Sequence, residues 1–263
     1  MPAIDTHAIG SFCWSELVTP DVDASLVFYG ALFGWEPEEG DLGDASRYVR
    51  CNLNGRPVSA MVQMSEEELS FQIAPYWAAY TQVAQTEDIL AKATELGGTQ
   101  VEGPIQVPGA GTLGGIEGPD GARLCLWQPD GFSGCGWNRE IGIAVWYELW
   151  TREPDASRDF YAGLLDWTAV QQDMGESTYT SFIKDGEGRA GLAEMTDAQA
   201  DYPAQWMIYI AVANIDATLE AAQALDATVL MPPTELPSVG RMATLRDPQG
   251  GLFSVIQMFD LQR

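Results

Sequence analysis

The chain repeats itself, and that limits its possible folds more than any other feature. Trp14 to Trp35 (WSELVTPDVDASLVFYGALFGW) matches Trp146 to Trp167 (WYELWTREPDASRDFYAGLLDW) at an offset of 132, with 11 of 22 positions identical. Farther along, an offset of 129 aligns Trp77 with Trp206, Tyr80 with Tyr209, Leu90 with Leu219, Pro119 with Pro248 and Gly121 with Gly250. The change of offset places a net deletion inside the second copy. A duplicated chain of 263 residues is expected to form two similar tandem domains, each with its own core. The expected boundaries are 1–134 and 135–263, joined across the glycine-rich stretch Gly131–Asn138.

Within each half, alternating apolar runs enclose helical stretches. Phe12–Val18 reads as a strand, Asp23 as an N-cap, and Leu26, Tyr29 and Leu32 recur at helical spacing until Gly34 ends the helix. Tyr48–Leu53 and Val58–Met64 read as strands around a turn at Asn54–Gly55. The order then recurs. Trp77–Ala84 is a strand, Thr86 caps a helix to Leu96 that Gly97–Gly98 stop, and strands follow near Thr99–Glu102, Thr112–Glu117 and Arg123–Gln128. This gives four βαβββ modules, at about 11–64, 76–128, 143–195 and 206–257. The fold class is therefore α+β, with helices on one face of each sheet.

Charge narrows the partners. Thirteen Lys and Arg face 38 Asp and Glu for a formal −25, and only Lys92 and Lys184 are lysines. Such a chain repels phosphate backbones and anionic membrane surfaces, so neither nucleic acid nor membrane is an expected partner. No apolar run approaches the roughly 20 residues of a membrane span. MPAIDTHAIG lacks the basic start and apolar core of a signal peptide, so the expected location is cytoplasmic. Cys13, Cys51, Cys125 and Cys135 show no C-x-x-C spacing and read as reduced, mostly buried thiols.

The strand-then-Asp-Ala-Ser/Phe-Tyr run (Thr19 to Tyr29; Thr151 to Tyr161) and the turns GPDG (Gly118–Gly121) and DPQG (Asp247–Gly250) resemble the vicinal oxygen chelate superfamily. This is the glyoxalase/bleomycin-resistance/extradiol dioxygenase-like family. The resemblance implies paired βαβββ modules forming a cupped sheet around a ligand, with helices on the outer face. It also implies metal ligands at three places per half. The first, seven residues before the acidic residue that precedes the first helix, is held here by Trp14 and Trp146. The second, at the start of the second module's first strand, is Ala78 and Met207; the third, after the D-P-x-G turn, is Cys125 and Ser254. All six depart from the His and Glu pattern, so no metal site in the family manner and no cofactor are expected. The sole histidine, His7, reads as part of a fraying N-terminus.

Side chains alternate along strands, so residues at the ligand positions, and those two away, are expected to line the cups. The first cup should present Trp14, Glu16, Ala78, Tyr80, Gln82, Arg123, Cys125 and Trp127; the second, Trp146, Glu148, Trp150, Met207, Tyr209, Leu252, Ser254 and Ile256. These aromatic, apolar linings suit a small hydrophobic or aromatic molecule. Glu16 and Glu148 are the candidate catalytic groups, because burial in an apolar cup raises a carboxyl pKa toward that of a general base. The competing reading makes each a structural acceptor held by Tyr80, Tyr209 or Arg123. Trp14 and Trp146 either stack on a ligand or fill the space of the missing metal, and Cys125 has no His to activate it. Gly103–Gly115 and Met231–Gly240 read as mobile flaps or ordinary hairpins, and Glu66–Glu68 as a solvated loop. The superfold hosts both enzymes and non-catalytic drug-binding proteins, so a binding protein and a metal-independent isomerase, lyase or hydroxylase-like enzyme both remain open. Tandem halves can satisfy internally the pairing that single-domain relatives obtain by dimerising, which leaves monomer and homodimer equally open.

Overall fold

The apolar alternation of the first copy becomes β1 (Phe12–Thr19), whose side chains point alternately to the two faces of a sheet. The computed structural model describes residues 3–40, 47–175 and 178–261. In the first half, β1 is followed by α1 (Val22–Phe33), β2 (Glu36–Glu39), β3 (Tyr48–Leu53), β4 (Arg56–Gln63) and a short α2 (Glu66–Ser70). Then come β5 (Tyr76–Gln82), α3 (Thr86–Glu95), β6 (Thr99–Val107), β7 (Gly111–Glu117) and β8 (Arg123–Pro129). The second half repeats this with β9 (Ala144–Thr151), α4 (Pro154–Leu165), β10 (Thr168–Asp173), β11 (Thr178–Lys184), β12 (Glu187–Glu194), β13 (Gln205–Ala211), α5 (Ile215–Ala224), β14 (Thr228–Leu236), β15 (Gly240–Arg246) and β16 (Leu252–Met258). Each half is one eight-stranded sheet, ordered β2-β3-β4-β1-β5-β8-β7-β6 and β10-β11-β12-β9-β13-β16-β15-β14. The modules join along the antiparallel β1–β5 and β9–β13 seams. This is the tandem cupped α+β architecture expected. No described helix is long and apolar enough to cross a membrane.

Several local expectations shift. Asp21, not Asp23, caps α1, accepting from the Ala24 amide, because the helix starts early enough to bury Val22. Thr86 opens α3 rather than capping it; its hydroxyl donates to the Thr112 carbonyl and its amide to Gln128. Strand β2 gave no signal because all four residues are exposed. The acidic run Glu66–Glu68 is the first turn of α2, held by a capping box between Ser65 and Glu68. Gly103–Gly115 and Met231–Gly240 fall in the hairpins β6–β7 and β14–β15 at the sheet edges, so the hairpin reading applies.

The two halves do not keep separate cores. Their helix-bearing faces turn toward each other and share one apolar cluster that includes Leu17, Tyr29 and Leu126 with Tyr147, Tyr161 and Phe253. Phe12 stacks on Tyr147 at 4.1 Å and 8°. The Trp35 indole donates to the Gly142 carbonyl at 2.6 Å and the Trp167 indole to Gly10 at 2.9 Å. The leading helices exchange partners too. The Tyr29 hydroxyl of α1 donates to Asp247 at 2.8 Å, while Ser157 of α4 donates to Asp120 at 2.9 Å. Each helix therefore docks on the other half's D-P or P-D turn. A pair of helices covers too little of an eight-stranded sheet, and the other half supplies the missing apolar cover. The opposite faces keep two small separate clusters, which are the two cups.

Candidate functional site

Register brings the cup residues into rows. Trp14 pairs with Tyr80 and Glu16 with Ala78 across β1–β5, and Tyr80 pairs with Cys125 across β5–β8. The second cup repeats the rows: Trp146 with Tyr209 with Ser254, and Glu148 with Met207. The Trp, Tyr and Cys or Ser row thus crosses the three central strands of each sheet, on the face away from the helices.

Glu16 stands at the centre of the first cup. Its carboxylate accepts from the Trp14 indole at 2.9 Å, the Tyr48 hydroxyl at 2.9 Å and the Tyr80 hydroxyl at 2.6 Å. Burial raises its pKa above the usual carboxyl value, the three donors oppose that, and the charge of Glu102 adds to it. Burial first, and then the charge of the same carboxylate, pushes the Tyr48 and Tyr80 hydroxyls upward. A carboxyl raised on folding binds its proton more tightly in the native state. Its contribution is complete below the unfolded pKa and is lost as pH rises through the folded one. Wild type should therefore lose stability relative to Glu16→Gln as pH rises above the ordinary carboxyl value of about 4.5. Paired melting curves at several pH values check this; a difference independent of pH would contradict a raised carboxyl.

One end of this cup is plugged. Phe132, from the segment after β8, meets Trp14 edge-on at 5.0 Å, and the Trp127 indole donates to the Phe132 carbonyl at 2.8 Å. Gln82 donates to the His7 carbonyl at 2.7 Å, and the His7 ring bonds the Cys135 carbonyl at 2.9 Å. His7 is therefore packed rather than frayed, and burial lowers its pKa. Trp14, Gln82 and Trp127 are committed to this packing.

The other end is open. A cavity of about 200 Å³ lies against Glu16, Val18, Tyr76, Ala78, Tyr80 and Glu102, with Arg123 and Glu68 at its rim. Arg123 is exposed, 3.6 Å from Glu117, and does not bond Glu16. Cys125 reaches the cavity, but burial first, then the charges of Glu16 and Glu102, push its thiol up to about 12, so it is protonated at neutral pH. Sequence reasoning missed Tyr48, Tyr76 and Glu102. The signal for Tyr48 was its counterpart Tyr179 on β11: Tyr48 pairs with Val62 beside Val18, and Tyr179 with Ala193 beside the aligned Trp150.

The second cup is filled. Trp150, Met195, Met207, Tyr209, Met242, Leu252 and Ile256 pack together, with Met207 only 1% exposed. Glu148 accepts from Trp150 at 2.9 Å and Tyr209 at 2.7 Å, Trp146 donates to Tyr179 at 3.1 Å, and the hydroxyls of Ser254 and Thr244 bond at 2.9 Å. The aligned positions explain the difference. Val18, Ala78, Glu102, Leu113 and Arg123 of the first half correspond to Trp150, Met207, Met231, Met242 and Leu252. At Trp150, Met207 and Met231, larger apolar side chains occupy what is space in the first cup.

The donor set does not fit the metal that the family resemblance implies. The aligned positions present indole, methyl and a protonated thiol in one half, and indole, thioether and a hydroxyl already bonded to Thr244 in the other. Hard divalent cations require converging carboxylate, carbonyl or imidazole donors. Among the described residues no three His, Cys, Asp or Glu side chains gather to hold one. A separate depression of about 340 Å³, bounded by Leu32, Phe33, Ala217 and Ala221, presents no acid or base.

Comparison with known proteins agrees with this architecture. The family model described as "Glyoxalase/Bleomycin resistance protein/Dioxygenase superfamily" matches residues 143–255. The chain is 31% identical over 258 residues, 98% of both chains, to the "Putative glyoxylase CFP32" of Mycobacterium tuberculosis. It is 28% identical to the "Anthracycline biosynthesis protein DnrV" of Streptomyces peucetius, covering 95% of this chain and 94% of the relative. The crystal structure of the Mn(II)-bound glyoxalase from Novosphingobium aromaticivorans superposes with a TM-score of 0.62 at 14% identity, over 97% of this chain and 86% of that one, and shows the same fold. The halves, the cupped sheets and the full-length relative together place the chain in the glyoxalase/bleomycin resistance protein/dioxygenase superfamily.

Proposed function

We propose that the first cup binds one small aromatic or hydrophobic molecule, with Glu16 as its polar anchor. The observation that carries this is the contrast between the copies: the same scaffold leaves a cavity of about 200 Å³ over Glu16 in one half and packs methionines over Glu148 in the other. Pockets for organic ligands are mostly apolar, with a few convergent polar groups. This one offers the Glu16 carboxyl, the Tyr76 and Tyr80 rings and the small Ala78 floor. Its volume lies below the usual range of about 300–1,000 Å³, so the ligand is about the size of one or two fused rings. The relatives' names, a glyoxylase and a protein of anthracycline biosynthesis, both speak of small organic molecules. The raised pKa of Glu16 favours a second reading, in which it moves a proton on the bound molecule as general acid or base.

Two measurements test the readings. Tryptophan fluorescence should be quenched saturably by 1-naphthol at one equivalent per chain, and small molecules co-purifying with the native protein should be detected by mass spectrometry. Recovery of the co-purified compound unchanged after incubation supports a binding protein, and its conversion supports catalysis. Quenching that never saturates would remove the site.

A further inference from the structure

The two copies differ again in the segment that ends each cup. In the second half, nine residues connect Met195 to β13, and the guanidinium of Arg152 clamps them, donating to the carbonyls of Gln199, Ala200 and Tyr202 at 3.0, 2.8 and 2.9 Å. Tyr202, three residues before β13, lies on the packed cup cluster. That cup is shut, and its lid is tied down. In the first half, eleven residues connect Met64 to β5, and the position of Arg152 is held by Pro20, which has no donor. This longer segment carries Leu69, Phe71 and Ile73, and all three are exposed, Phe71 by 70%. Ile73 stands three residues before β5, as Tyr202 does before β13. Glu68 of α2 borders the open cavity and accepts from the Tyr76 hydroxyl at 3.1 Å, so the segment starts at the cavity's own rim. Between Phe71 and Ile73, Gln72 holds a φ of 55°, a left-handed conformation that residues with a Cβ rarely keep.

We infer that residues 65–75 are a lid that closes over the first cup when ligand enters, laying Phe71 and Ile73 on the bound molecule as Tyr202 already lies on the second cup. This rests on the binding reading above. An exposed apolar segment is costly in water, and the internal copy supplies its occupant: the contents of the adjoining cup. The lid also accounts for the cavity's open side, since closure would bring these side chains to it.

Phe71 is exposed and outside the core, so replacing it leaves the fold intact. Phe71→Ser with Ile73→Ser should weaken 1-naphthol binding about tenfold, the loss of one buried aromatic contact. Chymotrypsin should cut wild type after Phe71, and saturating 1-naphthol should slow that cut severalfold. An unchanged Kd with an unchanged cleavage rate would overturn the lid while leaving the site standing. A concentration-dependent wild-type dimer that the double substitution dissolves, with 1-naphthol affinity unaltered, would overturn it as well, assigning the patch to a second copy of the chain. No saturable binding by wild type would reject the site itself, and the lid with it.

Discussion

Replacing Asp247 by alanine should destabilise the protein by about 3–5 kcal/mol, a large fraction of the stability of an ordinary domain. The carboxylate is buried and accepts four donors: the Tyr29 hydroxyl at 2.8 Å and the amides of Gln249, Gly250 and Gly251 at 2.9, 2.8 and 2.8 Å. Alanine removes both carboxylate oxygens at once. The Gly250 amide keeps its bond to the Asp247 carbonyl at 3.0 Å, but the buried Tyr29 hydroxyl and Gly251 amide lose their acceptor, each at a cost of about 1–3 kcal/mol before relaxation. Because Tyr29 belongs to α1 and Asp247 to the turn before β16, the lost bond joins the two halves. Tyr29→Phe is the calibration. It deletes one donor, leaves Asp247 with three amides, and should cost only about 1 kcal/mol. The related Asp120 binds Ser157 and the Ala122 amide, is only half-buried, and should tolerate alanine far better. Urea unfolding of the three variants checks the order. Equal losses at Asp247 and Asp120 would mean that the docking of helices onto opposite turns is incidental.

The general fold was legible because it depends on period and repetition. The family resemblance marked the Trp14 position as cup-facing, alternation then put Glu16 on the same face, and duplication doubled every inference. The donors converging on Glu16 were only half legible. Tyr80 follows from β1–β5 pairing, but Tyr48 lies on β3, whose register with β4 depends on a hairpin containing an irregular step. The shared core was invisible, because nothing local to Phe12 or Tyr147 says that their sheets face each other. The plug at Phe132 was missed for a related reason. Its neighbours read as a linker, yet the chain there folds back onto Cys13, whose carbonyl accepts from the Cys135 amide at 2.8 Å. Even the open cup had a signal in the aligned pairs Ala78/Met207 and Val18/Trp150, one that volume reveals and hydrophobicity conceals.

Those pairs give the second large effect. Ala78→Met with Val18→Trp gives the first cup the second cup's side chains, and it should weaken 1-naphthol binding at least about 30-fold, about 2 kcal/mol. Both positions border the cavity, so the added atoms go into space that is now open. Filling a void without displacing packed neighbours costs little, and the melting temperature should stay close to wild type. Met207→Ala makes the opposite change. Met207 is fully packed among Trp150, Met195 and Met242, so its truncation leaves a void lined by apolar groups and should cost about 2–5 kcal/mol. A binding cup tolerates filling at the expense of affinity, and a structural cup resists emptying at the expense of stability. If the filled variant bound 1-naphthol normally while Met207→Ala lost it, the ligand would belong to the second half. The open space over Glu16 would then be a packing defect, not a site.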